Sequence, residues 1–350
     1  MSVPSFPTVE SVEVQGWVNA HSHLRDDGPK NYDLLQYVAP LLAQTCDAAL
    51  PMPNTADPIR SGDDALRYNE RIDHYAPNLT IIPTIFLRLD TTPQMIREAA
   101  KAGVQAAKMY ILGTTTNSTN GVPIDRIDDF EDVFHEMAAC GMVLCVHGED
   151  PRTPYHARER AFLPTFKEMA TRYAGLTIVF EHISSKEAIA VCLAHENVYM
   201  TITPHHLWLT SDDVLGDPFN MCMPVIKNEE DRAALIRLFV SGHPRVMIGY
   251  DDAPHPIASK LNIWAGKKTP AGIWNVVAAP LIYTEVLARH GATKHLQALA
   301  SDNARSIYRL PPPARTLRLV RTPTSIPFER NIEAPQHFLA NETLPWSIAR

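Results

Sequence analysis

No apolar stretch in this chain approaches the ~20 residues that a membrane-spanning helix needs. There is no Lys/Arg-rich run either: 39 acidic residues outnumber 32 basic ones, the net charge is −7, and both signs are spread along the chain. Tracking a phosphate backbone or an anionic bilayer requires a basic stripe, so neither a nucleic acid nor a membrane surface is expected as a partner. The opening residues do not show the basic-then-apolar layout of a secretory signal. Cysteine is scarce, with five residues (Cys46, Cys140, Cys145, Cys192, Cys222) that are odd in number, scattered and mostly set in apolar runs. That is the pattern of free buried thiols in a reducing compartment, and a cytoplasmic location is expected. No internal repeat is evident. The Gly-rich phosphate turn that a doubly wound nucleotide-binding sheet would place after an early strand is missing too.

What remains is a 350-residue chain, 45% hydrophobic and 20% charged, large enough to bury a sizeable core. Eight short apolar runs alternate with helical segments: Val12 to Leu24, Ala48 to Asn54, Leu79 to Phe86, Ala106 to Tyr110, Met142 to Gly148, Thr177 to Ile183, Val198 to Pro204 and Arg245 to Gly249. The segments between them carry helix punctuation. Thr92 precedes Pro93 as an N-cap and first-turn proline, and Gly103 marks the end. Phe130, Val133, Phe134 and Met137 recur at helical spacing before Gly141. Ser184 with Glu187 reads as a capping box, and Asn228 opens a segment that closes at Gly242. Near-continuous apolar strands separated by amphipathic helices predict a parallel sheet buried on both faces, and eight such units predict a (β/α)8 TIM barrel. From about Leu310 the character changes, with Pro311, Pro312 and Pro313 leading into a polar stretch. Residues 311–350 are too few for a core of their own, so a single domain over 1–350 is expected, with this tail packed on the barrel.

The ionisable residues fall at the C-terminal ends of the predicted strands, the active rim of such a barrel. His21 and His23 end the first strand, Lys108 the fourth, His147 the fifth and His182 the sixth, while Asp251 follows the eighth. The i, i+2 spacing of His21 and His23 turns both imidazoles to one side of an extended strand, with Ser22 on the other. A lone histidine at a strand end is more often a hydrogen-bonded structural residue than a ligand. Four histidines and an aspartate on one rim are a different matter, and imidazole with carboxylate suits zinc. Lys108 would ordinarily be a surface cation, yet its neighbours in Gln105-Ala106-Ala107 and Met109-Tyr110 give no reason for exposure.

These residues sit in strings that resemble, in order and spacing, the shorter class of dihydroorotases in the amidohydrolase superfamily. The strings are Ala20 to Asp26, Met52-Pro53-Asn54, Ala107 to Tyr110, Thr115-Thr116-Asn117-Ser118, Val146 to Glu149, Phe180-Glu181-His182, Thr203 to Leu207, Cys222-Met223-Pro224, Asp251 to His255 and Pro345 to Ile348. The resemblance implies the reversible cyclisation of N-carbamoyl-L-aspartate to L-dihydroorotate in pyrimidine biosynthesis. It also implies two zinc ions per subunit, one held by His21, His23 and Asp251, the other by His147 and His182. The carboxylated Lys108 would bridge both, and a hydroxide would complete the bridge. Asp251 would act as general base and then acid. Arg25, Asn54 and His255 would hold the substrate carboxylate, with backbone contacts from Met223 and Ala271. Tyr110 to Gly121 would be a loop over the ligand, touching it through Thr115 and Thr116. A homodimer is the expected assembly.

The chain departs from the family pattern in places. Around the first histidine the family usually has an aspartate or similarly polar residue and a larger residue, where this chain has Asn19-Ala20 and Ser22. The usual Thr-Asp-Ser run reads Tyr250-Asp251-Asp252, and Ile111-Leu112-Gly113 replaces Pro-Ala-Asn. Asp252 therefore competes with Asp251 as ligand, although strand alternation lets only one of them face the metals. His205 and His206 are expected to pack or support rather than ligate. The alternatives are another cyclic-amide hydrolase such as a hydantoinase or allantoinase, whose chain is typically longer with strands from both termini in a flanking sheet, and a metal-free scaffold that has lost catalysis.

Overall fold

A computed structural model describes residues 9–25, 34–261 and 268–349; Asp26, the last residue of the first motif, lies outside the described residues. The strands, in chain order, are β1 (Ser11–Gln15), β2 (Val18–Ser22), β3 (Ala48–Pro51), β4 (Thr80–Ile81), β5 (Thr84–Phe86), β6 (Ala106–Tyr110), β7 (Val143–His147), β8 (Ile178–Phe180), β9 (Val198–Ile202), β10 (Val246–Ile248), β11 (Thr316–Val320), β12 (Thr324–Ser325), β13 (Thr343–Leu344) and β14 (Ser347–Ile348). Parallel pairing runs β2-β3-β4 and then β5-β6-β7-β8-β9-β10. β4 and β5 are two halves of one strand, interrupted at Pro83, whose ring nitrogen has no proton for the ladder. Counted so, eight parallel strands form the barrel, in the places the apolar runs predicted. A parallel bridge between Ser22 and Asp252, with Asp251 N–H donating to the His21 carbonyl at 2.9 Å, closes it from the last strand to the first.

Because side chains alternate along a strand, Ala106, Lys108 and Tyr110 share one face, as do Val143, Cys145 and His147. Inside the barrel these faces meet Leu50, Met52, Phe86, Val179 and Met247, and Tyr308 closes the lower end against Cys145. A second, larger apolar layer lies between the strands and the outer helices.

Helix starts follow the predicted capping chemistry with one shift. Thr92 accepts from Met95 N–H to open Pro93–Lys101, and Asn228 accepts from Asp231 N–H to open Glu229–Val240. The helix Lys186–Leu193, however, is capped by Ser185, while the Ser184 hydroxyl donates to buried Glu159 at 2.8 Å. The first apolar run is also two strands rather than one. Gly16 (φ 64°) turns the chain between β1 and β2, at a spot where a Cβ would meet the Arg305 guanidinium at 2.3 Å. β1 then pairs antiparallel with β11, and β14 adds to β11, so strands from both ends of the chain form a small sheet beside the barrel, a feature that the sequence reading associated with the longer hydantoinases and allantoinases. Trp346 beyond it is fully buried and donates its indole N–H to Glu285 at 2.9 Å.

Candidate metal centre

Every rim residue singled out in the sequence, apart from the loop threonines, the partly buried Met223 and the edge residues His255 and Ala271, is buried: His21, His23, Arg25, Asn54, Lys108, His147, His182 and Asp251. His21 Nε2 and His23 Nε2 lie 3.3 Å apart, and Asp251 Oδ1 stands 3.3 Å from the first and 3.1 Å from the second. Three donors at these separations form one face of a tetrahedron, since ligand bonds of about 2.0–2.1 Å require ligand–ligand edges of roughly 3.3 Å. His147 Nδ1 and His182 Nε2 make a second pair at 3.1 Å. The His21 and His182 rings, 5.1 Å apart, join the two groups into one cluster. The donor set and its spacing fit metal binding.

Lys108 is fully buried between these groups and pairs with Glu181 Oε2. Burial pulls its pKa down to about 7, where a large share of the side chain is the neutral amine that can add to carbon dioxide. Burial likewise holds His21, His147 and His182 below the ordinary imidazole range and takes His23 to about 3. The carboxyl of Asp251 would be raised by burial, but the surrounding imidazoles His21, His23 and His182 hold it well below the usual range. Neutral imidazoles beside an ionised carboxylate are the protonation states a metal needs.

The backbone at the site is unusual. Arg25 (φ 47°), His182 (φ 42°) and Asp251 (φ 47°) all lie in the left-handed region although none is glycine. Three such residues, each directly after a barrel strand or its extension, mark places where the chain turns sharply to aim a side chain inward.

Two carboxylates that the sequence reading passed over support the ligands. Glu181 Oε1 lies 2.9 Å from His21 Nδ1, and Glu149 Oε2 accepts from His147 Nε2 at 2.8 Å. Each leaves the other ring nitrogen of its histidine facing the cluster. Both stand within two residues of a candidate ligand just past the end of an apolar strand, which was the available signal. Asp252 turns away: its oxygens accept from Asn19 Nδ2 at 3.1 Å and Ser22 Oγ at 3.0 Å, and burial pushes its pKa up to about 7. His205, His206 and Cys222 form a further cluster of potential ligands. His206 spends both nitrogens, on Thr203 Oγ1 and the Pro224 carbonyl, and His205 Nδ1 faces Asn275 Nδ2, so these histidines act as hydrogen-bonded supports.

At the edge of the cluster, Arg25 Nη2 approaches His255 Nε2 at 3.5 Å, and His255 donates to the Ala271 carbonyl at 2.9 Å. Burial and the Arg25 charge keep His255 neutral. Gly272 lets this segment approach: a Cβ there would sit 2.3 Å from the Ala253 carbonyl oxygen, and its N–H donates to Met221 at 2.9 Å, which brings the turn bearing Met223 alongside. On the opposite side Asn54 Nδ2 donates to the Thr116 carbonyl at 2.9 Å, and Asn117 Nδ2 donates back to the Asn54 carbonyl at 3.0 Å. The 111–121 loop, with Thr115 and Thr116 half-buried, is thus tied to a residue of the site.

No protein-family description matches the chain. Individual proteins do. A probable dihydroorotase of Schizosaccharomyces pombe is 36% identical over 350 residues, covering 96% of this chain and 98% of that one. The Saccharomyces cerevisiae dihydroorotase, solved with 5-fluoroorotic acid, superposes with a TM-score of 0.91 at 29% identity over 97% of this chain and 99% of its own. An L-hydantoinase of Arthrobacter aurescens superposes with a TM-score of 0.80 at 15% identity, over 97% of this chain and 83% of its own, a likeness of fold alone.

Proposed function

The chain belongs to the dihydroorotase family, and from that premise we propose that it interconverts N-carbamoyl-L-aspartate and L-dihydroorotate in pyrimidine biosynthesis, with two zinc ions in the cluster described above. The observation that carries this reading is the convergence of His21, His23 and Asp251 donor atoms at 3.1–3.3 Å beside the His147–His182 pair, with Lys108 buried between them. His21, His23 and Asp251 would hold one ion, His147 and His182 the other, and the carboxylated Lys108 would bridge them. When bound, the metal pair supplies a Lewis acid for the reacting carbonyl and lowers the pKa of the attacking water.

The protein groups do the rest. In the hydrolytic direction the Asp251 carboxylate takes the proton of the attacking water and passes it to the departing ring nitrogen. In the biosynthetic direction it takes a proton from the ureido nitrogen as that atom closes on the carboxyl carbon and gives it to the leaving oxygen, which departs as water with a second proton taken up from solvent. Arg25 supplies the fixed positive charge for the ring carboxylate, because His255 beside it is neutral and serves as a hydrogen-bonding group. Asn54, with backbone groups of Met223 and Ala271, completes that contact. The loop from Tyr110 to Gly121 excludes water, bringing Thr115 and Thr116 to the ligand. The tail, paired with β1 through β11 and tied to Glu285 through Trp346, belongs to the same unit.

Two measurements test the proposal. Purified protein is expected to hydrolyse dihydroorotate, carry about two zinc per chain and lose activity to a chelator; an active sample with only trace metal would overturn it. Arg25→Met is expected to lower kcat/KM for dihydroorotate by about 2–4 kcal/mol, the cost of breaking a buried charged hydrogen-bond pair, with metal content unchanged. Equal turnover of dihydroorotate and uncharged dihydrouracil by the unaltered enzyme would remove the carboxylate clamp from the reading.

A further inference from the structure

Lys260 is a buried cation that the mechanism does not use. It stands in the short helix Ile257–Leu261, which begins two residues after His255. The first turn of that helix is fixed to the tail: Ile257 N–H donates to the Ala334 carbonyl at 3.0 Å, and Ala258 N–H to the Ile332 carbonyl at 2.8 Å. The Lys260 ammonium donates to two backbone carbonyls, those of Pro218 and Met221, each at 3.1 Å. They belong to the single 3-10 turn Pro218–Asn220 and the residue that caps it, where helical backbone leaves acceptors in need of a donor.

The Met221 carbonyl takes a second bond, from Gly272 N–H at 2.9 Å. One oxygen therefore joins the helix that follows His255, the Ala271–Gly272 segment and the turn that bears Met223. One residue beyond Met223, the Pro224 carbonyl accepts from the Cys222 thiol at 3.2 Å and meets His206 Nε2 at 3.1 Å. Met223 thus sits between two held carbonyls, and a backbone group offered to a ligand there is placed only as well as they are. Burial pulls the Lys260 pKa down to about 8, which leaves most of the side chain charged at neutral pH. That charge acts on Arg25 and on His255. A side chain needed only to tie two carbonyls would cost less to bury as a neutral amide, whereas a cation adds to the positive potential of Arg25 where a carboxylate has to settle.

We propose that Lys260 is a positioning residue for the carboxylate end of the substrate: by holding the Met221 carbonyl it fixes the Met223 backbone against the Ala271 and His255 segments, and its charge adds to that of Arg25. This rests on the reading of Arg25, Met223, His255 and Ala271 as the carboxylate contact.

The test compares Lys260→Met and Lys260→Gln with the unaltered, metal-loaded enzyme, using dihydroorotate as substrate and 5-fluoroorotate, the ligand of the S. cerevisiae structure, as a carboxylate-bearing inhibitor. Lys260→Met keeps an apolar stem and loses the ammonium. It is expected to raise the KM for dihydroorotate and the inhibition constant of 5-fluoroorotate by about 10-fold each, with kcat within about three-fold and metal content unchanged. Lys260→Gln, which keeps an uncharged donor, decides the matter where the methionine variant does not fold, and should raise both constants by at least about three-fold. A lowered melting temperature with both constants unchanged would make Lys260 a structural peg and overturn the proposal. Loss of kcat and metal content with KM unchanged would overturn it too, as would failure of both variants to fold. Failure of the functional reading is distinguishable, because it would appear as an absence of dihydroorotate turnover in the unaltered enzyme, whereas failure of the Lys260 role is read only in the variants of an active one.

Discussion

Lys108→Ala is expected to lose about three orders of magnitude in kcat or more and to bind less than two zinc per chain. The reason lies in what the side chain stands between. Lys108 is fully enclosed, and its charge acts on His21, His147 and His182 alike. It therefore reaches both ligand groups, and a carbamate on its nitrogen would present one oxygen to each. In the proposed centre, removing it would leave the two cations with only histidines and one aspartate, and less negative charge to offset their repulsion. A loss of about 4 kcal/mol of transition-state stabilisation corresponds to roughly 10³-fold in rate. The alanine leaves a space shaped for a carboxylate group, so short carboxylic acids should restore part of both activity and metal content in a concentration-dependent way. Unchanged kcat in Lys108→Ala, or mass measurement showing an unmodified lysine in fully active native enzyme, would remove the bridge from the mechanism.

Asp251→Asn should reduce turnover by at least about 10²–10⁴-fold, the range for loss of a positioned general base, while the melting temperature changes little. The amide fills the same space and keeps a ligating oxygen, but it cannot take a proton. Metal content measured on the same sample separates this from loss of a ligand, and a protein with full zinc and little turnover is the expected result. Asp252→Asn should keep its metal and lose no more than about 10–100-fold, since its carboxyl bonds Asn19 and Ser22 rather than facing the cluster. If the two variants behaved the other way round, the base would be residue 252.

The rim was legible in the sequence because parallel strands buried on both faces are written as apolar runs, and a polar residue ending such a run stands out. His21, His23, Lys108, His147 and His182 were found that way, and the structure brings all of them together. Glu149 and Glu181 carried the same signal but were read as parts of motifs, so their bonds to His147 and His21 appeared only in three dimensions. The expected cap at Ser184 moved to Ser185, which accepts from Ala188 N–H, and both serine hydroxyls donate to Glu159, a partner distant in sequence that no local pattern announces. Nor did any local pattern predict that Asn54, proposed for the substrate contact, would also be tied to Thr116 and Asn117.

Residue order alone determined the barrel, the rim and the types of the ligands, because hydrophobic period, capping and His-x-His spacing are local properties that each act within a few residues. Tertiary structure decided everything that depends on closure. It chose Asp251 over Asp252, since at a sharp positive-φ turn only the bridge between β2 and the segment after β10 sets which carboxylate faces inward. It paired Ser11 with Val320 to build a flanking sheet from the two ends of the chain. It also turned three separate departures, Asn19, Ser22 and Asp252, into one hydrogen-bonded seam, because the polarity of a buried donor or acceptor has meaning only once the atom opposite it is known.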